Sequence, residues 1–139
     1  MTDPRIPDGY APYERVSPFT APWFPLYSRM TEAQVQLATH LREAHCNRRG
    51  LIHGGFIAAL ADNAMGLSLG RVLQGKGREV KGIVTLNLAT DYLGMAKVGQ
   101  WFETDSRVLK AGRTTGFVEC HLLADGAVIA RANATFSHR

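Results

Sequence analysis

One segment constrains the fold more than any other. From Phe56 to Leu73 the chain is rich in Ala, Leu and Met and contains no proline, which predicts a helix of about 18 to 20 residues. Gly75-Lys76-Gly77 follows, a run that closes a helix as a C-terminal glycine does. Everything after it reads as strand. Val80 to Leu93, Gln100 to Lys110, Thr114 to Ala124 and Val128 to His138 each carry β-branched or aromatic residues, and glycine-containing turns separate them. Ala111-Gly112-Arg113 and Ala124-Asp125-Gly126 are short enough to be hairpins. One apolar helix and an antiparallel meander bury their apolar surfaces together only if the sheet curls around the helix. The expected fold is therefore α+β, a long central helix wrapped by a curved antiparallel β-sheet.

All six prolines fall within residues 1–25, so this part is expected to be an extended or coiled arm, with the folded domain spanning 26–139. The aromatics Tyr10, Tyr13, Phe19, Trp23 and Phe24 suggest that the later part of the arm packs on the body. From Gln34 the residues alternate. Val35, Leu37, Thr39 and Leu41 share one side, and Gln34, Gln36, Ala38 and His40 the other, as in a strand with one wet face.

A chain of 139 residues suits one domain with one core. Its net charge of +4 favours anionic partners, but the basic residues are scattered rather than gathered into a footprint, so nucleic acid is not an expected partner. The N-terminus lacks the basic and apolar regions of a signal peptide, and two cysteines make no disulfide framework, which fits a cytoplasmic protein. The longest apolar stretch, Phe56 to Leu69, is interrupted by Asp62-Asn63 and is shorter than a membrane span, so no membrane partner is expected.

Two features can carry chemistry. His53-Gly54-Gly55 precedes the helix, where the first N–H groups lack intrahelical partners, and Gly54 leaves such a donor uncrowded to polarise a carbonyl. The plain alternative is a glycine turn feeding a tightly packed helix. Asp62 interrupts an otherwise apolar segment, where a carboxylate needs compensating hydrogen bonds or a functional reason. Its plain alternative is a solvent-facing stripe.

Asn47, His53-Gly54-Gly55 and Asp62-Asn63-Ala64-Met65-Gly66, taken together, resemble the PaaI-type hotdog thioesterases of phenylacetate breakdown and their mitochondrial relatives. The resemblance runs from about Glu43 to the C-terminus and includes Tyr92-Leu93, Ala96-Lys97-Val98-Gly99 and Leu109 to Thr115. It implies a hotdog-fold acyl-CoA thioesterase with Asp62 as nucleophile or general base and the Gly54 N–H holding the thioester carbonyl. Asn47 would position water or the thioester, and His53 would shape the same turn. Thr85, Asn87 and Tyr92, with Lys110, Gly112, Arg113 and Thr114, match where the family contacts coenzyme A or lines its channel. Lys110 and Arg113 suit phosphate physically as well. Coenzyme A enters as part of the substrate, with no cofactor and no metal.

Two departures from the family stand out. Some relatives carry a hydroxyl one turn after the acid, where this chain has Gly66, and Tyr92-Leu93-Gly94-Met95 replaces the family's usual Tyr-Leu-x-Pro. A Cys46 nucleophile with His45 or His53 is a rival mechanism, while His40, His45, Cys46 and His53 match no zinc spacing. Two rival functions are a hotdog hydratase or dehydratase, whose carboxylate and histidine pair is not apparent, and a non-catalytic acyl-CoA sensor. Gly54 and Asp62 are eight residues apart, about 12 Å of helical rise, too far to act on one thioester. A homodimer with shared active sites, or a tetramer built from such dimers, is therefore expected.

Overall fold

The computed structural model describes residues 5–139. Among these residues, seven strands form one antiparallel sheet around a single long helix. The strands are β1 (Ala11–Pro12), β2 (Tyr27–Met30), β3 (Val35–His40), β4 (Ile83–Tyr92), β5 (Trp101–Ala111), β6 (Thr115–Ala124) and β7 (Ala127–His138). The helix, α1, spans Gly54–Gly75. This is the α+β arrangement expected from the sequence.

α1 is longer than expected at both ends, and both ends have a local cause. At the start, His53 stays extended and its Nδ1 accepts the Gly55 N–H at 2.8 Å, so the glycine pair joins the first turn. At the end, Gly77 adopts a left-handed φ of +76°. Its N–H reaches the Gln74 carbonyl while the Arg78 N–H reaches the Leu73 carbonyl. That pair of bonds satisfies carbonyls the helix leaves open, and only the second glycine of the run makes it. At 22 residues α1 is long and apolar enough to cross a membrane by length and composition, contrary to the shorter span expected. Half of its most apolar window is nevertheless buried inside the protein.

The sheet order is β1-β2-β3-β5-β6-β7-β4. Only β5, β6 and β7 form the expected meander. β4 precedes them in sequence but pairs with β7 at the far edge, so the chain crosses the sheet between β4 and β5. The two expected hairpins are present, and Asp125 (φ 45°) and Gly126 (φ 84°) form the left-handed pair that a tight antiparallel turn favours.

Phe56, Ile57, Leu60, Met65, Leu69 and Leu73 project from α1 into the concave face of the sheet, against Leu37, Phe102, Val118, Leu122 and Phe136. Gly116 on β6 lets this contact close, because a Cβ there would lie 2.5 Å from a Leu69 methyl. Ser68, buried on α1, accepts the Val35 N–H and ties the helix to β3.

The outer face of β3 is not wet. Gln36 and Ala38 are both buried, and Ala38 packs with Tyr10 and Trp101, whose side chains both donate to Glu103. The cover comes from the proline-rich segment, which supplies β1 against β2. β2 itself is not marked in the sequence, since its four residues carry neither alternation nor a flanking turn signal strong enough to define them.

Candidate active site

β3 and β2 flank one side of α1 and β4 flanks the other, so the curled sheet leaves one face of the helix open. Along that face lies a cleft of about 620 Å³. Asp62, Asn63, Gly66 and Gly70 line it from the helix, Thr85 and Ile83 from β4, and Tyr13 and Arg15 from the N-terminal segment.

Asp62 is half-buried there. The Thr85 hydroxyl donates to its Oδ1 at 2.7 Å, and among the described residues nothing donates to Oδ2. The hydroxyl missing one turn along the helix at Gly66 is thus present from a neighbouring strand. Thr85 was expected as a channel residue, and the fold sets it on the carboxylate. A register shift in β4 between Thr85 and Asn87 separates the two residues by a bulge.

Gly54 stands at the first position of α1, and among the described residues no acceptor takes its N–H. The donor sits at the positive end of the helix, where a developing oxyanion is best stabilised. Tyr92, at the end of β4, donates from its hydroxyl to the Gly54 carbonyl at 2.7 Å. A Cβ on Gly54 would lie 3.2 Å from the Tyr92 ring, so the glycine also serves this close approach. Asn47 uses its Oδ1 to accept from the N–H groups of Arg49 and Leu51, which folds the turn leading to His53. Its Nδ2 has no partner among the described residues.

The other expected residues divide between the two ends of β4. Tyr92 pairs with Ala130 at the end beside Gly54, whereas Ile83 pairs with His138, next to the β5–β6 hairpin that carries Lys110, Gly112, Arg113 and Thr114. Within one chain, Tyr92 and that hairpin do not meet. Arg78 and His138 anchor the hairpin. Arg78 donates to the Gly112 carbonyl at 2.8 Å and to the Arg113 carbonyl at 2.5 Å, and the His138 Nε2 meets the same Gly112 carbonyl at 2.8 Å. Lys110, Arg113 and Thr114 remain exposed, as does Asn87 on β4.

The thiol alternative loses His45 as its base. Both ring nitrogens of His45 are engaged by backbone, Nδ1 by the Arg42 N–H and Nε2 by the Trp23 carbonyl. Burial, and then the nearby Glu43 carboxylate, push the Cys46 thiol up and away from the reactive thiolate. Among the described residues no group of three or more His, Cys, Asp or Glu is placed to hold a metal ion.

Three contributors to the site escaped sequence reasoning. Tyr13 and Arg15 come from a segment whose aromatics pointed to packing on the body, but without periodicity nothing local signals that it reaches the cleft. Arg78 follows Gly77 immediately, and a cation just past a helix end is the one hint it offered.

A single long helix wrapped by a curled antiparallel sheet, its open face presenting a held carboxylate and its N-terminus a free N–H, has the hotdog class of fold. The comparisons agree with that class. The sequence profile of the thioesterase superfamily matches residues 49–130, and the chain belongs to that superfamily. It is 35% identical over 134 residues to the Pseudomonas aeruginosa protein PA0474, by its provisional name an esterase, covering 95% of this chain and 96% of that one. It is 31% identical over 97 residues to acyl-coenzyme A thioesterase 13 of Homo sapiens, covering 68% of this chain and 66% of that one. Among solved structures, a point mutant of the phenylacetic acid degradation protein PaaI from Thermus thermophilus superposes with a TM-score of 0.74 over 87% of this chain and 98% of that one. At 23% identity it shows the shared fold. A Streptococcus mutans protein bound to acetyl CoA superposes with a TM-score of 0.68 at 27% identity, covering 77% of this chain and 82% of that one.

Proposed function

We propose that this chain hydrolyses acyl-CoA thioesters to a free acid and coenzyme A. The observation that carries the reading is the Asp62 carboxylate, half-buried in the cleft, fixed by Thr85 through one oxygen and open at the other. As a general base, its open oxygen removes a proton from water while the water oxygen bonds to the thioester carbon. The tetrahedral oxyanion is received by the Gly54 N–H. Collapse breaks the C–S bond, and the proton passes to the departing sulfur. As a nucleophile, Asp62 instead bonds to the thioester carbon and the C–S bond breaks to release coenzyme A thiolate, leaving a mixed anhydride that water opens to the free acid and the Asp62 carboxylate. Turnover in ¹⁸O-labelled water under single-turnover conditions separates the routes, since the nucleophilic route can leave label in Asp62. The relatives named above, one an acyl-CoA thioesterase and one bound to acetyl CoA, support the choice of thioester.

The site is shared between two chains. Gly54 and Asp62 are about 12 Å apart along α1 by helical rise, whereas the reacting atoms must lie within about 3 to 3.5 Å of their partners. Two antiparallel copies of α1 bring Gly54 of one subunit opposite Asp62 of the other. The free edge of β4 supports this assembly. It is ten residues long, pairs among the described residues only with β7, and exposes Val84, Leu86 and Leu88, features an uncovered strand rarely combines. Antiparallel β4 strands would also carry Tyr92 of one subunit toward the hairpin end of the other, uniting the residues a single chain keeps apart.

Thiol release from aryl, short-chain and long-chain acyl-CoAs tests the reading. Asp62→Asn should lower kcat by about 10²- to 10⁴-fold, the range for loss of a general base. Release from none of these substrates, with ligand binding retained, would make the chain a sensor instead. A carboxylate and a polarised carbonyl suffice for the reaction, so activity should survive a chelator.

A further inference from the structure

The cleft extends well beyond Asp62. Gly66 and Gly70 continue its floor at one-turn intervals on the same helix face, and Leu67, Phe136 and Ile83 add apolar wall. Packing does not impose the two glycines. A Cβ at Gly66 would meet Phe136 at 3.6 Å and one at Gly70 would meet Ile83 at 3.4 Å, both ordinary contacts. Glycine is the poorest helix former after proline, and what these two create is room.

Past Gly70 the lining changes character. Arg71 follows Gly70 on the helix and Lys81 precedes Ile83, and with Arg15 they bring three cations to a lining whose carboxylates are Glu14 and Asp62, while the Lys81 and Gly82 N–H groups donate to the main-chain oxygen of Arg139. All three cations are exposed. The Arg71 Nε donates to the Thr31 carbonyl at 3.0 Å, which fixes the guanidinium at the mouth with its terminal nitrogens still available. Arg15 arrives on the N-terminal segment beside Tyr13, held there by the pairing of β1 with β2 and by the Tyr13 N–H bond to the Leu26 carbonyl. The nine residues from Asp62 to Arg71 correspond to about 13.5 Å of helical rise.

We infer that the acyl group of the preferred substrate ends in an anion, its apolar body lying over Gly66 and Gly70 and a distal carboxylate meeting Arg15, Arg71 and Lys81. This rests on the reading of Asp62 as the carboxylate that attacks the thioester, and it gives the N-terminal segment the role of choosing the acid. Two sources can supply an anion at this distance, a carboxylate on the acyl group or the pyrophosphate of coenzyme A beyond its pantetheine arm. The cleft floor favours the first. Methylenes lie well against Leu67, Ile83 and Phe136, whereas the two amides of pantetheine would lose water against that wall even with Ser28, Asn63 and Gln74 elsewhere in the lining. The phosphates have other cations at Lys110 and Arg113.

The test compares octanoyl with octanedioyl thioesters, each made with coenzyme A and with N-acetylcysteamine, which lacks the phosphates. With either leaving group, octanedioyl is expected to exceed octanoyl in kcat/KM by tenfold or more. The triple variant Arg15→Gln, Arg71→Gln, Lys81→Gln should bring that ratio near one. A second variant, Arg15→Glu with Lys81→Glu, guards against a merely damaged protein, because it should reverse the preference toward an 8-aminooctanoyl thioester. A wild-type ratio near one, with both thioesters hydrolysed, overturns the inference and leaves the thioesterase reading standing. A triple variant that raises KM equally for both coenzyme A thioesters, and spares both N-acetylcysteamine thioesters, assigns the cations to phosphate and overturns it as well. Hydrolysis of no thioester at all removes the reading on which it rests.

Discussion

At the scale of single residues, the bond between Thr85 and Asp62 admits the sharpest test. A hydroxyl bonded to an ionised carboxylate contributes about 1.5 kcal/mol, close to a factor of ten in rate if the geometry serves the transition state. Thr85→Ala should therefore lower kcat about tenfold with little change in urea midpoint, since Thr85 lies on an exposed edge strand. Thr85→Ser should recover most of the loss. His45 gives a different residue-scale prediction. Its side chain is fully buried, stacks on Phe56 with 4.5 Å between ring centroids, and donates to the Trp23 carbonyl, tying the N-terminal segment to the turn before α1. Burial holds its pKa below the ordinary 6.5, the Trp23 bond pulling weakly the other way and the Arg42 guanidinium reinforcing the shift. An unfolded chain takes up this proton near pH 6.5 while the folded chain resists it, so the stability is complete above that pH and is lost as pH falls toward the folded value. Urea midpoints of the wild type should drop more steeply from about pH 7.5 to about 5.5, a range that brackets the ordinary histidine value, than those of His45→Gln. Equal slopes would show that His45 titrates alike in both states.

At the scale of elements, two glycines make opposite predictions for one α1–sheet contact. Gly70 lies inside the helix with room for a methyl group, so Gly70→Ala should stabilise the protein by up to about 1 kcal/mol. Gly116 lies on β6 under Leu69 without that room. Gly116→Ala must push the helix or force Leu69 off its rotamer, a cost of about 1 to 3 kcal/mol. Urea unfolding of the two variants side by side reads both signs. The β5–β6 hairpin supplies a third prediction. Lys110→Ala and Arg113→Ala should raise KM for acyl-CoA with little change in kcat, because phosphate contacts far from the scissile bond hold ground state and transition state alike. Added salt should reproduce part of the loss. An unchanged KM in both variants would place the nucleotide elsewhere.

For the whole molecule, the decisive question is whether one chain suffices. Mixing Asp62→Asn chains with Gly54→Pro chains should restore activity through heterodimers that carry one intact site, while each variant alone stays inactive. Native mass spectrometry of the same mixtures, which resolves the mass difference between the two chains, reads subunit exchange. An active monomer, or exchange without rescue, would refute the shared site. A charge on the β4 edge tests the same assembly from its interface, since Leu86→Lys is expected to yield monomers and to abolish thiol release together.

The sequence by itself determined the elements whose causes are local. α1 was legible because a proline-free run of Ala, Leu and Met can hardly be anything else, and the hairpin at Asp125-Gly126 because its left-handed backbone favours those residue types. Asp62 stood out because a carboxylate in apolar surroundings demands a reason, and Gly54 because helix starts leave donors open. Tertiary structure alone decided what those residues meet. That Thr85 holds Asp62, that β4 lies beyond β7 rather than beside β5, and that Tyr13 and Arg15 wall the cleft all depend on contacts between segments far apart in sequence. No local propensity records such contacts. They follow from the one arrangement in which a curled sheet buries a single helix, covers the outer face of β3 with the proline-rich segment, and leaves the Asp62 face open.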